Sequence, residues 1–507
     1  MSDISPSNEP ELAITDLPAT LTQIFERAQR PLLPHAKGPL GLFVRYLRRK
    51  AERGLAIIYA VDETYPAHKG RINNPDHTVS LTIDEQAMDG VQIRFSADQA
   101  QQAPLTILPS GVLRLVDLGL AVQHFPADNS LPALPACCDT DPHSPLFAAL
   151  QVAAHQQTGD PGCRLVEASA EPVRYKPGNR CVIRYHLQLE QSREEAASKQ
   201  KTLTIFGKVY NNVEQARDIQ SLQQQLYEEQ KQAGEIPFLP QPLGMIDTLG
   251  LTFNEAVQAS NAESRLGDDQ NDRWNTLRTG IQALQPQVTL GRGGSIAQII
   301  TPGEELRLAA RALARLHTSS VRPSAKGPRT SAKEARRAQE RAQLLAEHNQ
   351  AQAGQIQACV QQLASKLERV QPDLYRPAHG GFKASQLLFH SHRVYVVDFD
   401  GFCLADPALD VGYFLAYLRP SALWYQRPGM RQWFEEAATT FRKSYQQEME
   451  ARGVEPEIIQ GILERAPLYE AALIFKIATR RVNRLNSPRP QELSAMLNEI
   501  AQSLKEA

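Results

Sequence analysis

Three short groups of residues carry the side chains that phosphate and metal chemistry needs. The first is His379-Gly380-Gly381-Phe382-Lys383-Ala384-Ser385-Gln386, the second Val397-Asp398-Phe399-Asp400, and the third Asp406-Pro407-Ala408-Leu409-Asp410. Between the first two lie apolar runs at 387–389 and 394–397, separated by His390-Ser391-His392, so the spacing predicts a hairpin. On it, Gln386 near the start of one strand faces Asp398 at the end of the other. An amide oxygen and a carboxylate are hard donors suited to Mg²⁺, which takes one or two carboxylates together with phosphate oxygens. Asp398 could simply turn a strand end, but the apolar run before it argues against an idle surface acid. Asp406 is placed to cap the helix that follows, and Asp410 to accept from backbone N–H groups of the polar loop. The two histidines of the hairpin turn have metal-like spacing but read as an exposed turn.

The elements that must hold these residues follow from periodicity. Residues 173–187 read as a hairpin turning at Pro177-Gly178, and 203–210 as the next strand, carrying Lys208. A helix over about 213–230 places Val213, Ala216, Ile219, Leu222 and Leu226 on one stripe. Asn211 with Glu214, or Asn212 with Gln215, would cap it. A last strand covers 251–257. Upstream, 54–61, 78–83, 91–95 and 112–116 read as strands of a separate β-rich unit, closed by a Pro-punctuated segment. Laid without gaps, Arg48 to Tyr59 matches Arg174 to Tyr185 at four of twelve positions, and 117–122 echoes 248–253. Either two amphipathic hairpins look alike by chance, or the first ~140 residues are a diverged copy of the second β-rich lobe.

Residues 261–300 read as an insertion or lid, with Gly291-Arg292-Gly293-Gly294-Ser295 either a flexible anion-binding loop, since Gly exposes its backbone N–H groups, or a plain mobile loop, the reading preferred because it fits no phosphate-loop pattern. After Pro302 the chain turns helical. Residues 304–317 carry Leu306, Ala310, Leu313 and His317 on one face, 333–370 reads as one long, largely solvated helix, and 433–453 and 457–486 follow. Lys476, Arg480, Arg481 and Arg484 form a basic cluster, read as a solvated face or the lining of a phosphate-rich cleft.

Composition narrows the partners. The chain has 507 residues, 42% hydrophobic and 22% charged, with a net charge of −1. That suits a globular chain of several domains and disfavours nucleic acid or a membrane surface, which call for a basic field. The six cysteines form no C-x-x-C pair, so zinc is not expected and a reducing cytoplasm is. The first residues lack the pattern of a signal peptide, and no run of ~20 apolar residues predicts a membrane span.

The three spaced groups together resemble the aminoglycoside phosphotransferase-like branch of the protein-kinase fold. Its catalytic loop reads H-G-D-x-x-x-x-N, followed by a hairpin, I-D-[FW]-[DE], and G-D-P-x-x-D-[LV]. Here the corresponding residues are His379-Gly380-Gly381 with Gln386, then 397–400, then 405–411. The helix ending Ala312-Leu313-Ala314-Arg315-Leu316-His317 is also similar to the family's. The resemblance covers roughly 165–490. It implies an α+β, two-lobed protein-kinase-like fold with an extra β-rich N-terminal domain: 1–150 the accessory domain, 151–260 the kinase-like N-lobe, and 261–507 a mostly helical C-lobe.

The resemblance also implies ATP and Mg²⁺ as cofactors and a hydroxylated small molecule as substrate. Lys208 would pair with the α/β-phosphates. The 175–181 hairpin, with Lys176, Gly178 and Arg180, would cover them. The 253–257 segment, with Glu255 and Val257, would meet adenine. Gln386 and Asp398 would hold Mg²⁺. The acid partner of Lys208 is open between Glu214 and Glu228. Two residues of the catalytic loop depart from the pattern: Gln386 stands for the family's Asn and reaches one methylene further, and where the family has the aspartate that takes the substrate's hydroxyl proton, this chain has Gly381. His379, Asp400 and Lys383 are the remaining catalytic candidates, with Asp400 the nearest substitute for the base. Two readings follow: a small-molecule kinase with weakened or relocated base catalysis, or a pseudokinase that regulates or scaffolds, with a protein partner on the N-terminal domain.

Overall fold

The computed structural model describes residues 16–30, 41–50, 54–62, 78–89, 92–190, 200–257, 277–279, 283–284, 287–290, 296–323, 327–372, 374–419, 429–482 and 491–506. The contact pattern divides the chain into two compact units. The first holds residues 1–217 and 243–254, the second most of the remainder. Helix and strand segregate along the chain, so the fold is α+β.

The first unit is built from two sheets. In the first sheet, β1 (Gly41–Lys50), β2 (Gly54–Asp62) and β3 (Thr78–Ile83) form a meander. A short pair, β4 (Met88–Asp89) and β5 (Gln92–Ile93), precedes β6 (Thr106–Ile107), β7 (Leu113–Leu115) and β8 (Leu120–His124). The second sheet holds β9 (Arg164–Lys176), β10 (Arg180–Glu190), β11 (Gln200–Tyr210), β12 (Pro242–Ile246) and β13 (Leu251–Glu255). The first is ordered β1-β2-β3-β8-β7-β6, the second β9-β10-β11-β13-β12. Five strands of each therefore follow one pattern.

The core explains the pattern. Leu55, Ile57, Tyr59 and Val61 point inward on β2, as Cys181, Ile183, Tyr185 and Leu187 do on β10. Alternate residues of a strand share a face, so one apolar set per strand fills the core. The end of each sheet repeats as well. A 3-10 turn at Val116–Leu118 leads to Gly119 at φ 59°, and one at Asp247–Leu249 leads to Gly250 at φ 58°. Gly119 accepts from Asp84 N–H at 2.9 Å, and Gly250 from Tyr210 N–H at 3.0 Å. Both glycines take the left-handed backbone that a side chain disfavours.

Helix α1 (Leu17–Arg27) buries Leu17, Leu21, Ile24 and Phe25 in the first core, and α2 (Ala97–Gln102) opens with a Ser96–Gln99 capping box. Helix α3 (Pro145–Thr158) packs Leu146, Leu150, Ala153 and Ala154 into the second core. Helix α4 (Val213–Gln232) buries Ala216, Ile219, Leu222 and Leu226 of the expected stripe but leaves Val213 exposed, and Asn212 Oδ1 accepts from Gln215 N–H at 2.9 Å.

The second unit is mainly helical. The chain forms β14 (Arg278–Thr279), the hairpin β15 (Gln287–Leu290) and β16 (Ile296–Ile300), and α5 (Gly303–His317). Next come α6 (Ser331–His348), α7 (Ala353–Arg369) and β17 (Arg376–Ala378), then β18 (Leu387–His390), β19 (Arg393–Val396) and β20 (Cys403–Ala405). Helices α8 (Ala408–Leu418), α9 (Met430–Ala451), α10 (Pro456–Val482) and α11 (Gln491–Glu506) complete it. Part of the expected lid is thus strand, with β14 extending the β18–β19 hairpin; the loop 291–295 lies outside the described residues. The single solvated helix expected over 333–370 is instead two helices, broken at Asn349. They pack together, burying Ala335, Ala338, Ala342 and Leu345 on α6 and Ile356, Val360, Leu363 and Leu367 on α7. Alanines in that stripe let the helices approach, and their small size hid the amphipathic face behind the charges. Helix α8 is buried almost throughout and lies so close to α10 that a Cβ on Gly412 would meet the Ala466 carbonyl at 2.4 Å. Among the described residues, no helix is long and apolar enough to cross a membrane.

Candidate active site

The predicted hairpin is present, with Leu387 opposite Val396 and Phe389 opposite Val394. Ser391 and His392 occupy its turn at positive φ, and His392 Nδ1 lies 2.5 Å from Glu304 Oε1 in an exposed contact. The register brings Gln386 to Asp398: Val397 N–H donates to the Gln386 carbonyl at 2.9 Å, and Gln386 Nε2 lies 3.5 Å from Asp398 Oδ2. Asp398 has left-handed backbone, φ 71° and ψ 56°, a conformation that aspartate tolerates and that concentrates at functional sites. Gln386 is buried, and its Oε1 has no hydrogen-bond partner among the described residues. A buried acceptor with no donor is costly unless something absent from the protein supplies the contact. The carboxylate and the unpartnered amide oxygen are the donor types Mg²⁺ takes, so the pair fits that ion.

The loop before the hairpin is fixed from behind. Asp410 accepts from His379 N–H at 2.6 Å, and its other oxygen lies 3.5 Å from Phe382 N. Burial would raise the Asp410 carboxyl. The His317 imidazole, 3.6 Å away, and the His379 N–H outweigh it and hold the carboxyl below its usual range. Asp406 accepts from Ala408 N–H at 3.1 Å, as a cap should, and takes Arg465 at 2.8 and 3.2 Å.

His379 is 1% exposed, and its Nε2 lies 3.2 Å from the Val397 carbonyl. A carbonyl only accepts, so Nε2 carries the proton and Nδ1 the lone pair. Burial lowers the ring's proton affinity and keeps it neutral. Its Nδ1 also lacks a partner. Of the two unpartnered atoms, His379 Nδ1 borders the position of Gly381, beside the Gln386 amide nitrogen. A Cβ built there would meet Gln386 Nε2 at 3.9 Å and His379 Nδ1 at 4.0 Å, ordinary contact distances. Gly380 is the opposite case: its φ is 70°, and a Cβ would strike the Gly401 carbonyl at 2.0 Å. Of the two glycines, only Gly380 is required by the fold.

The other catalytic candidates sit around this core. Asp400 lies in the 3-10 turn just past Asp398, and Lys383 places its ammonium 5.2 Å from the Tyr417 ring. Lys476, read as solvated or lining a cleft, is half-buried with its ammonium 5.3 Å from the Tyr413 ring; the side chains of its basic neighbours lie outside the described residues.

Arg329 was missed in the sequence. Its guanidinium donates to the Gly380 carbonyl at 2.8 Å, to Glu334 at 2.7 Å and to the Tyr413 hydroxyl at 2.6 Å, so it braces the loop. Burial would raise the fully buried Glu334 carboxyl, but Arg329 and Arg337 hold it down at about 2. No local pattern marks Arg329 as a brace of this loop, because Gly380 and Tyr413 lie 51 and 84 residues away and only Glu334 is near in sequence.

In the first unit, Lys208 lies opposite Val182 on β11, its ammonium 4.9 Å from the Tyr210 ring. Gly207 beside it leaves room for the Tyr185 ring, which a Cβ would meet at 2.6 Å. Lys176 and Arg180 close the β9–β10 turn as paired residues, with Gly178 between them at φ 68°. Glu255 N–H donates to the Gln241 carbonyl at 2.9 Å, and burial raises its carboxyl.

Residues 286–452 match the family model described as Phosphotransferase enzyme family. Over that stretch the chain is aminoglycoside phosphotransferase-like. The fold is accordingly of the protein-kinase-like class. Solved structures of low identity are also similar. A glucosamine kinase in complex with glucosamine, ADP and inorganic phosphate is 14% identical, at TM-score 0.40 over 93% of this chain and 96% of that one. A choline/ethanolamine kinase family protein from Mesorhizobium loti is 12% identical, at TM-score 0.35 over 71% and 93%. A Plasmodium vivax ethanolamine kinase is 12% identical, at TM-score 0.37 over 76% and 95%. No curated protein matches. At such scores these likenesses bear no weight, and the family match stands by itself.

Proposed function

We propose that the chain is an ATP- and Mg²⁺-dependent phosphotransferase acting on a hydroxylated small molecule, with a catalytic loop short of one carboxylate. The observation that carries this is the Gln386–Asp398 pair, whose buried amide oxygen lacks a partner beside a carboxylate on left-handed backbone. Mg²⁺ there would neutralise charge on the transferring phosphoryl group. Lys208 would add charge at the phosphates, and the β9–β10 turn with Lys176, Gly178 and Arg180 would cover them. Since Glu255 N–H is already taken, a donor to adenine would come from Val257 instead. We further read residues 41–124 as a diverged copy of the second sheet.

Phosphoryl transfer depends mostly on positioning and charge, so it survives loss of a base at reduced rate. Asp400 is the substitute nearest the site. Gly381, which puts no side chain where the family has its aspartate, favours a second reading, a nucleotide-binding pseudokinase. Titration of wild type and Asp398→Ala with Mg·ATP, followed by turnover on hydroxylated compounds, tests both readings. Wild-type binding lost in the variant is expected; a wild type that ignores Mg·ATP would end both. Gly381→Asp fits without strain and should raise turnover by ~10²–10⁴-fold if the carboxylate is the whole defect. No gain in that variant would place the base elsewhere.

A further inference from the structure

Asp128 lies in the segment that leaves the first sheet, and it is 1% exposed. Its carboxylate takes four hydrogen bonds. Oδ1 accepts from Ser130 N–H at 2.8 Å and Leu131 N–H at 3.1 Å, a local turn that fixes the carboxylate itself. Oδ2 accepts from the Tyr175 hydroxyl at 2.7 Å and from Gly178 N–H at 2.7 Å. Those two donors belong to the β9–β10 turn. Gln123, on β8 of the first sheet, reaches the same Tyr175 hydroxyl at 3.4 Å, and the Phe125 ring meets the Tyr175 ring edge-on at 5.1 Å. Hairpin turns usually have few partners outside their own strands. This one is pinned by a buried acceptor from the segment after β8.

We propose that Asp128 is a positioning residue that holds the β9–β10 turn in the shape needed to cover the phosphates of a nucleotide. The proposal rests on the nucleotide reading above. Asp128 touches no ligand; it acts through Tyr175 and Gly178. A pinned turn loses less freedom when a ligand orders it, so affinity rises without any new contact. The first sheet, through Gln123 and the segment after β8, becomes a support for that turn. Only ligands with phosphates depend on it.

The test compares Mg·ATP, by titration calorimetry, with adenosine, by saturation-transfer NMR, on the full chain. Asp128→Asn keeps the side chain's size, and its oxygen can still take Ser130 and Leu131. Its NH₂ then faces Gly178 N–H donor to donor. We expect Mg·ATP to bind about five- to twentyfold more weakly, adenosine to change less than twofold, and amide exchange to quicken within 175–181 alone. Tyr175→Phe should show a smaller loss, again for Mg·ATP only. Equal loss for both ligands, or no loss for either, overturns the proposal. If Asp128→Asn does not fold, Tyr175→Phe decides by the same comparison. A wild type that binds neither ligand overturns the nucleotide reading and this proposal with it; wild-type binding with unmoved variants overturns the role of Asp128 alone.

Discussion

The two sheets of the first unit share a strand order, an inward apolar set and a closing turn, yet at one matching outward position the second carries a lysine and the first does not. In the second sheet Lys208 lies opposite Val182. At the matching place in the first, Thr82 lies opposite Ala56. Thr82 is exposed and uncharged, while Ile83 and Leu81 on either side remain buried. If Lys208 meets phosphate as proposed, the residues that build the sheet and those that serve the site are separable. The inward face keeps its pattern because a polar residue there would be buried unpaired. The outward face carries no such constraint and can lose its chemistry without loss of the fold.

Three substitution pairs would break or sharpen that contrast. The largest effect is expected for charge. Lys208→Ala should lower phosphoryl transfer by ~10²–10³-fold, the usual cost of removing one preorganised charge donor. Thr82→Ala should leave turnover within twofold. Similar losses in both variants would erase the distinction. The closing turns should behave alike: Gly119→Ala and Gly250→Ala each force a side chain onto left-handed backbone, costing about 1–2 kcal/mol in denaturant unfolding. A large effect at one and none at the other would argue against a shared design.

The smallest effect separates the two buried tyrosines. Tyr185 donates its hydroxyl to the Cys137 carbonyl at 2.7 Å, whereas the Tyr59 hydroxyl is buried without a partner. Tyr185→Phe should cost about 1 kcal/mol, and Tyr59→Phe should be neutral or stabilising. Equal costs at the two positions would show that the cores are not as different in their polar contacts as the structure indicates.

The sequence showed these sheets unevenly. Period-two alternation made the hairpins readable, and four identities in twelve hinted at a repeat. The common strand order was not readable, because it depends on which strands meet across long connections. The catalytic loop was legible for the same reason the hairpins were: Gln386, Asp398, Asp406 and Asp410 act on near neighbours or at fixed spacing. Arg329 and Asp128 were not. Each reaches a loop about fifty residues away, at |i−j| of 51 and 50, and the near contacts each also makes, with Glu334 and with Ser130 and Leu131, do not point there. The paired helices α6 and α7 were hidden because alanine is a weak marker of burial.

The geometry at Gly381 bears on how the loop could change over time. Two of the four glycine codons differ from an aspartate codon at a single base, and a Cβ at 381 would meet only ordinary contact distances. Where Gly381 is encoded by one of those two, the loop stands one nucleotide from regaining a carboxylate at that position. The loss, unlike a change at Gly380, is open to reversal.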